Sequence, residues 1–355
     1  MAHGETEHGA ATPAAEGEPR LLAFPGAKSP ELLAHSLNQV AQRNSSPSLP
    51  LTVGESAVER WLIPPSLSER PSRPVLFSPP EPAEHAAGSG LLSVQQVDGQ
   101  STVTSVYATS PLKILVPRSR GPSVWAYLSS FGGGMVAGDR TQLKVQLGAH
   151  TRCLLSTQAS TKIYRNSTAR PCHHQMSAEV GEGSLLILAP DPVQAFAGSR
   201  YSQRQEFHLH PRAGLVLVDW FCSGRASRGE RWAFELLESR NEVFLNQERI
   251  FLDALRLEAL DGALDGRHRM GRFNCLAMVT VIGTELAPHG ARIQEEIAAL
   301  PVRRQESLLL SGSQIKSGFV FRFAGEQIEV VAREIQRRLA FVSTFLQDDP
   351  WIRKW

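Results

Sequence analysis

Beyond about Gly90 the chain is a succession of short apolar runs separated by glycine and proline turns. STVTSVYAT, LKILVP, SVWAYLSS, TQLKVQLG, SLLILAP, GLVLVDWF, CLAMVTVIG and SGFVFRF are rich in β-branched and aromatic residues. Such residues suit a pleated, half-buried surface, so each run predicts a strand. Helical periodicity appears only late. In AGEQIEVVAREIQRRLAFVSTFLQDDP, Ile328, Val331, Ile335, Leu339, Val342 and Phe345 recur at three- and four-residue steps, opposite Glu329, Arg333, Gln336 and Arg337. That is one helix with a single buried side. A shorter helix is predicted from about Gly290 to Leu300, with Ile293, Ile297 and Leu300 inward. The order is many strands, then two α-helices.

The strands carry a weak internal repeat: a turn, a short apolar strand, then a polar cluster. GPSVWAYLSS leads into FGGGMVAGDR, GAHTRCLLST into QASTKIYR, GEGSLLILA into PDPVQAF, and RAGLVLVD into WFCSGR. The turn glycines are Gly121, Gly148, Gly183 and Gly214, at intervals of 27, 35 and 31 residues. Unequal repeats of this length predict stacked supersecondary units, as in a solenoid or layered β-structure. Stacking aligns equivalent strand ends, so the polar clusters should form one continuous strip.

The first 88 residues differ. They hold thirteen of the 23 prolines, with many Ala, Ser and Glu. Such a stretch buries little apolar surface and is expected to be a largely disordered extension over residues 1–88, ahead of a folded core over 89–355. ESAVERWLIPP, with Val58, Trp61, Leu62 and Ile63, is either a docking segment or a locally collapsed piece of this tail. The first twenty residues are acidic without an apolar centre, unlike a secretory signal or an Arg-rich transit peptide.

Composition narrows the classes. With 355 residues, 42% apolar and 20% charged, the chain is globular in type. A net charge of +2, with basic residues scattered, implies no strong field for nucleic acid or membrane. Cys153, Cys172, Cys222 and Cys275 are widely spaced and form no C-x-x-C pair, which reads as a reduced, intracellular chain.

FGGGMVAGDR, from Phe131 to Arg140, concentrates four glycines and a carboxylate. Gly133 and Gly138 have P-loop spacing, yet Asp139 and Arg140 stand where Lys and Ser/Thr must reach phosphates and Mg²⁺. Gly132, Gly134 and Ala137 loosely match a dinucleotide fingerprint, which must open a helix. The following RTQLKVQLG instead alternates Leu143, Val145 and Leu147 as a strand does. What remains is a tight turn. It either presents Asp139 to a neighbour or uses that side chain to close itself.

Other candidates are dispersed. STQASTKIYR places Lys162, Tyr164 and Arg165 together, and Lys162 or Arg165 could pair with Asp139 across adjacent repeats. It is not the S-x-x-K of serine acyl-enzymes, because Ala159 occupies the serine position. Asp219 follows the apolar run GLVLV, Glu248 sits between apolar residues in FLNQERIFL, and Asp191 turns after another apolar strand. Charges in such places are either paired and hydrated for a purpose or are ordinary strand-end caps and ion pairs. His173–His174 and His208/His210 read as surface pairs, without further ligands at structural zinc spacing. No triad, nucleophile elbow, catalytic carboxylate pair or cofactor fingerprint is present, so the chain does not read as an enzyme.

Taken in order, FGGGMVAGDR, STQASTKIYR, PDPVQAFAGSRY, DWFCSGRASRGERW and QERIFLD resemble the urease accessory protein UreD (UreH) family over about Gly88 to Trp355. Departures are mild: Phe131 replaces a proline, Ala137 a paired glycine and Ser199 an alanine, and Gln194 to Phe196 only approximates its segment. Asp139, Lys162, Tyr164, Arg165 and Glu230 keep their motif positions. The resemblance implies an all-β, helix-like stack of strands with two α-helices near the C-terminus. It also implies a cytoplasmic chaperone rather than an enzyme. Such a protein binds UreF, which brings the GTPase UreG, and docks on apo-urease. Nickel reaches urease through a polar conduit, for which Asp139, Asp219 and Glu248 are the candidate transient ligands and Lys162, Tyr164, Arg165, Asp191 and Glu230 the accompanying residues. No permanently bound cofactor is expected, only transient Ni²⁺, because hard carboxylates alone hold it weakly. The alternative from another class is a metal-free binding scaffold for a different assembly, its polar strip purely structural.

The failed nucleotide motif makes a prediction. The isolated protein should show no binding of GTP or ATP in a calorimetric titration, and micromolar affinity would contradict this reading of the glycine turn.

Overall fold

The computed structural model describes residues 86–352, apart from 119, 120, 169, 302 and 304. The proline-rich extension and its Trp61 segment lie outside the described residues.

The chain opens with β1 (Ser89–Val97), β2 (Gln100–Ala108) and β3 (Leu112–Leu115). Four coils follow. The first runs through β4 (Val124–Ser130), β5 (Gly134–Met135) and β6 (Arg140–Leu147), and the second through β7 (Arg152–Thr157), β8 (Lys162–Ile163) and β9 (Cys172–Val180). The third uses β10 (Leu185–Leu188), β11 (Val193–Ala195) and β12 (Arg200–Leu209). The fourth goes from β13 (Gly214–Cys222) through a loop to β14 (Leu236–Leu245). Successive coils pair in parallel, β4–β7–β10–β13 in one sheet and β6–β9–β12–β14 in the other. The short β5, β8 and β11 stack as a third side. The repeat therefore is a β-solenoid.

Antiparallel strands finish both ends. β1 joins β6 in parallel and folds back as β2. β15 (Glu248–Glu258) returns along β14. β16 (Cys275–Ile282), β17 (Leu308–Ile315) and β18 (Gly318–Gly325) extend the other sheet beside β13, in the order β13–β16–β18–β17.

The two sheets differ in what covers them, and their sequences differ accordingly. The β6–β9–β12–β14 sheet packs on one side only. Its strands alternate, as in β12, where Tyr201, Gln203, Gln205, Phe207 and Leu209 are buried and the residues between them are not. The β4–β7–β10–β13 sheet is buried on both faces. Its strands are accordingly continuous apolar runs, such as LLIL in β10 and LVLV in β13. One core, with Leu92, Leu143, Leu155, Leu186, Phe207 and Leu217, fills the space between the sheets. A second, with Trp125, Ile187, Val216, Val279 and Phe321, lies beneath the helices.

Those helices are α1 (Ala287–Ala298), α2 (Ile328–Arg338) and α3 (Val342–Leu346). Two corrections to the periodicity reading arise here. The late stripe is two helices, not one, because Leu339, Phe341, Val342 and Leu346 are all buried. Spacings of two and one residue cannot share a face of an unbroken helix, so the chain turns between Arg338 and Val342. The earlier helix ends at Ala298, before Pro301, and leaves Leu300 44% exposed rather than inward. Ile293 and Ile297 do face the sheet. The end of α3 is tied to the first coil, where Ser123 Oγ donates to the Leu346 carbonyl (2.9 Å) and Trp125 Nε1 donates to Ser123 Oγ (2.9 Å).

Leu339 is wholly buried under these helices. Leu339→Asp should therefore destabilise the protein by about 3 kcal/mol or more, combining lost burial with an unpaired buried charge. Thermal melting of the isolated protein checks this; an unchanged melt with loss of partner binding alone would make the stripe an interface instead.

Candidate functional site

In-register stacking turns equivalent strand positions into rows. Most interior rows are apolar, as in Val145–Ala178–Phe207–Val243. One is not. Thr141 of β6, His174 of β9, Gln203 of β12 and Ser239 of β14 are consecutive register partners. In the next row Gln205 pairs with Asn241, and Asn241 with Asp253 of β15. Polar side chains thus cross the interior from the first coil to the last.

Asp219 meets this row from the opposite sheet. It is 6% exposed. Its carboxylate accepts from Gln203 Nε2 (2.7 Å), Ser239 Oγ (2.6 Å) and Asn241 Nδ2 (2.7 Å). Tyr201 donates to Gln203 Oε1 (3.1 Å), which orients that amide. Burial pushes the Asp219 carboxyl above the usual range, against the pull of its three donors. At the far end of the row Thr141 Oγ1 lies 2.8 Å from His174 Nδ1. Burial holds His174 near 4, so its ring is neutral at pH 7. His173, 7% exposed, is likewise held near 4 by burial and by Arg140. This His pair is therefore not the surface feature its spacing suggests.

Space follows the polar row. A cavity of about 120 Å³ is lined by Thr141, His174, Gln203 and Gln205, together with Ser160 and Asp191 near the third side. A larger cavity of about 980 Å³ is lined by Asp253, Leu255, Met278 and Arg322 near the β15 and β17 edges. Asp219 lines both. Across the wider cavity Arg322 of β18 donates to Asp253 of β15 (2.8 Å), so an ion pair spans the two sheets at this edge.

The residues singled out from the sequence separate into distinct places. Asp191 shares the smaller cavity with Asp219, and its carboxylate accepts from Thr157 Oγ1 (3.2 Å). Asp139 closes its own turn: its Oδ2 accepts from the Val136 amide, and its own amide donates to the Val136 carbonyl, both at 2.9 Å. Among the described residues no ion pair joins Asp139 to Lys162 or Arg165. Glu248 is exposed and pairs with Lys316 (2.5 Å), another clasp between β15 and the β17–β18 hairpin. Asp139, Lys162 and Glu248 are not among the residues lining either cavity.

The remaining motif residues meet on the third side and hold coils together. Gly132 and Gly133 adopt left-handed φ of 77° and 70°. A Cβ on Gly134 would stand 2.6 Å from the Lys162 carbonyl oxygen, so β5 and β8 approach closely only because glycine is there. Tyr164 donates to the Gly132 carbonyl (3.3 Å) and meets Phe196 edge-on at 5.6 Å. Arg225 lies 4.5 Å over the Phe196 ring and forms a bidentate pair with Glu230, which holds the Glu230 carboxyl below its usual range. Arg165 packs its side chain against Gly198. Gly132, Tyr164, Phe196 and Arg225 come from four successive coils, so the motif strings are staples between them.

Sequence reasoning missed Thr141, Gln203, Gln205, Ser239 and Asn241, and read His174 as a surface residue. A signal was available in the strand alternation. In RYSQRQEFHL the core phase reads Tyr, Gln, Gln, Phe, Leu, and in LLESRNEVFL it reads Leu, Ser, Asn, Val. Polar residues in core phase on consecutive coils mark an internal row.

The solenoid, its end hairpins and the polar row define the class: a β-solenoid with a buried polar row between its two sheets. No described helix is long and apolar enough to cross a bilayer. The family model described as "UreD urease accessory protein" matches residues 86–355. The chain is 43% identical over 272 residues to "Urease accessory protein UreD" of Sorangium cellulosum, covering 76% of this chain and 85% of that protein. It is 37% identical over 219 residues to "Urease accessory protein D" of Oryza sativa subsp. indica, 61% of this chain and 71% of the other. With "Urease accessory protein D" of Arabidopsis thaliana it shares 31% over 293 residues, 74% and 99% of the two chains. The chain belongs to the UreD urease accessory protein family.

Asp219→Ala should leave the fold intact but lower its melting temperature. Three buried donors, from Gln203, Ser239 and Asn241, lose their acceptor, at a cost of about 1–3 kcal/mol for each left unpaired and less wherever water enters. A double-mutant cycle with Asn241→Ala should give strong coupling; additive effects would place the two residues in separate networks.

Proposed function

We propose that this protein acts in urease maturation, as a cytoplasmic, non-catalytic scaffold that joins apo-urease to UreF and, through UreF, to UreG. In that assembly it passes nickel along its polar interior toward the urease active site. Family membership supports the maturation role. The observation that supports the conduit is that Asp219 lines both cavities, so one buried carboxylate borders the two spaces.

The chemistry fits transfer better than storage. Ni²⁺ accepts oxygen and imidazole donors, and the passage offers His174, Asp219, Asp253 and neutral amide and hydroxyl oxygens. The three donors on Asp219 favour its ionised form, although burial opposes them. A single carboxylate with neutral partners attracts a cation without the grip of a thiolate or multi-histidine site. The Asp253–Arg322 pair stands where cargo would pass on the wider side, and its carboxylate can exchange a guanidinium for a metal ion.

Blocking the passage tests this reading. Ser160 is half-buried at the narrow cavity. Ser160→Trp should preserve the fold and the complex with UreF and apo-urease, yet reduce nickel per urease active site several-fold after a fixed activation time. Asp219→Ala should act in the same direction but more weakly, since several oxygens share the work. Full nickel loading with both variants, complex formation intact, would leave a scaffold without a conduit.

A further inference from the structure

Basic residues are scattered along the sequence, yet the stacking of coils gathers several of them on the third side. Arg140, Lys162, Arg165, Arg170 and Arg228 are all exposed. Arg140 starts β6, at the corner where the first coil leaves this side. Lys162 lies on β8, level with Gly134 of β5 and Gln194 of β11. The Arg165 side chain packs on Gly198 of the third coil, and the Arg170 guanidinium carbon is 3.4 Å from where a Cβ on Gly138 of the first coil would stand. Arg228 occupies the loop after β13 in the fourth coil.

Among the described residues none of these five cations forms an ion pair. Arginines elsewhere on the molecule are answered. On the outer face of the β6–β9–β12–β14 sheet Arg204, Arg240 and Arg249 surround Glu242, and on α2 Arg337 and Arg338 share Glu334. The carboxylates close to the third side are already engaged. Glu230 holds Arg225, Glu235 holds Arg200, and Asp139 closes its own turn. A chain with a net charge of only +2 thus concentrates unanswered positive charge on one side. Like charges held together without partners repel, so this arrangement does nothing for the fold itself.

Apolar surface accompanies the charge. Phe131 and Val136, on either side of β5, are 51% and 54% exposed. Lys113 Nζ lies 3.8 Å from the centre of the Phe131 ring. Aromatic and arginine side chains are the types enriched where proteins meet.

We infer that the third side docks an acidic protein surface, with Phe131 and Val136 as its apolar anchor. Arg165 and Arg170 are laid along glycines of neighbouring coils, so less rotamer freedom is lost when a carboxylate arrives. Asp139 and Glu230 stand among the cations and oppose a continuous run of phosphates, whereas the carboxylates of a folded partner can be spaced to avoid them. The inference rests on the maturation reading only for the choice of partners to test.

Charge reversal on the full-length protein is the test. Binding to UreF and to apo-urease is measured separately by biolayer interferometry, at about 50 and about 500 mM NaCl. Lys162→Glu and Arg165→Glu should each weaken, several-fold, the complex with whichever of the two presents the acidic surface. Together they should weaken it about tenfold or more, chiefly through slower association, and high salt should do the same to wild type. Phe131→Ser should weaken that complex through faster dissociation. Lys144→Glu makes the same charge change on the outer face of the other sheet and should leave both complexes within about twofold. Thermal melting checks that each variant is folded, which the exposure of these side chains leads one to expect.

Complexes indifferent to the reversals, or weakened equally by Lys144→Glu, overturn the docking face and leave the scaffold reading standing. A labelled peptide of alternating Glu and Phe probes the same face without either partner. A protein that binds neither partner, yet holds the peptide and releases it on charge reversal, keeps the face and removes the scaffold reading; one that holds neither removes both. A labelled single-stranded RNA held more tightly than the peptide, and released by the same variants, would make this a nucleic-acid surface and overturn the inference.

Discussion

In-register parallel stacking of the coils is the constraint on which everything else depends. Every strand position is repeated about 4.8 Å away on the next coil. An apolar position therefore extends into an apolar row, and a polar position inside the core is tolerable only if its neighbours along the row can answer it. Thr141 with His174, Gln203 with Ser239 and Asn241 with Asp219 meet that condition by direct hydrogen bonds. The polar row is a consequence of the same stacking that forms the core.

The two sheets divide the labour. Burial on both faces makes the β4–β7–β10–β13 sheet a rigid wall, closed on its outside by α1, α2 and α3 and their apolar contacts. Asp219 interrupts that wall with a charge on its inner side. The other sheet keeps its outer face in water, where Arg204, Arg240 and Arg249 surround Glu242 and hold its carboxyl down near 2. Its inner face is thus free to carry the amides and hydroxyls that point at Asp219. At the open edge, where β15 and β17 are not hydrogen-bonded to each other, two ion pairs replace backbone bonding. Ion pairs with exposed partners are weak and exchangeable, so this edge is held less firmly than a ladder would hold it.

The motif strings set how the coils stack and also reach the interior. Tyr164, Arg165, Phe196, Arg225 and Glu230 occupy the third side and set how successive coils sit on one another. The lining of the smaller cavity draws on both sources: Gly133, Ser160, Thr161 and Asp191 belong to the motif strings, and Thr141, His174, Gln203 and Gln205 to alternating positions of long strands, which form no short string that the eye picks out.

Much of the fold was legible in the sequence by itself. Glycine spacing announced the coils, strand chemistry announced the sheets, and three- and four-residue periodicity announced helices at the end, because these patterns are set by local geometry. Stacking was expected to align the polar clusters that follow the apolar strands, whereas the buried polar row comes from β6, β9, β12 and β14; Asp191 and Asp219 were recognised as carboxylates following apolar strands. Tertiary structure decided the rest. Asp139 faces its own turn and Glu248 a lysine across the edge, since the orientation of a turn or strand-end carboxylate depends on what packs beside it. The break after Arg338 reflects the shape of the sheet beneath, which accepts Leu339, Phe341 and Val342 together. Gln203, Gln205, Ser239 and Asn241 look like ordinary solvated strand residues until register is known. Only the stacking of β12 on β14, with β13 facing them, brings their amides and hydroxyl to one buried carboxylate, because contacts between coils join residues up to 38 positions apart that no local pattern links.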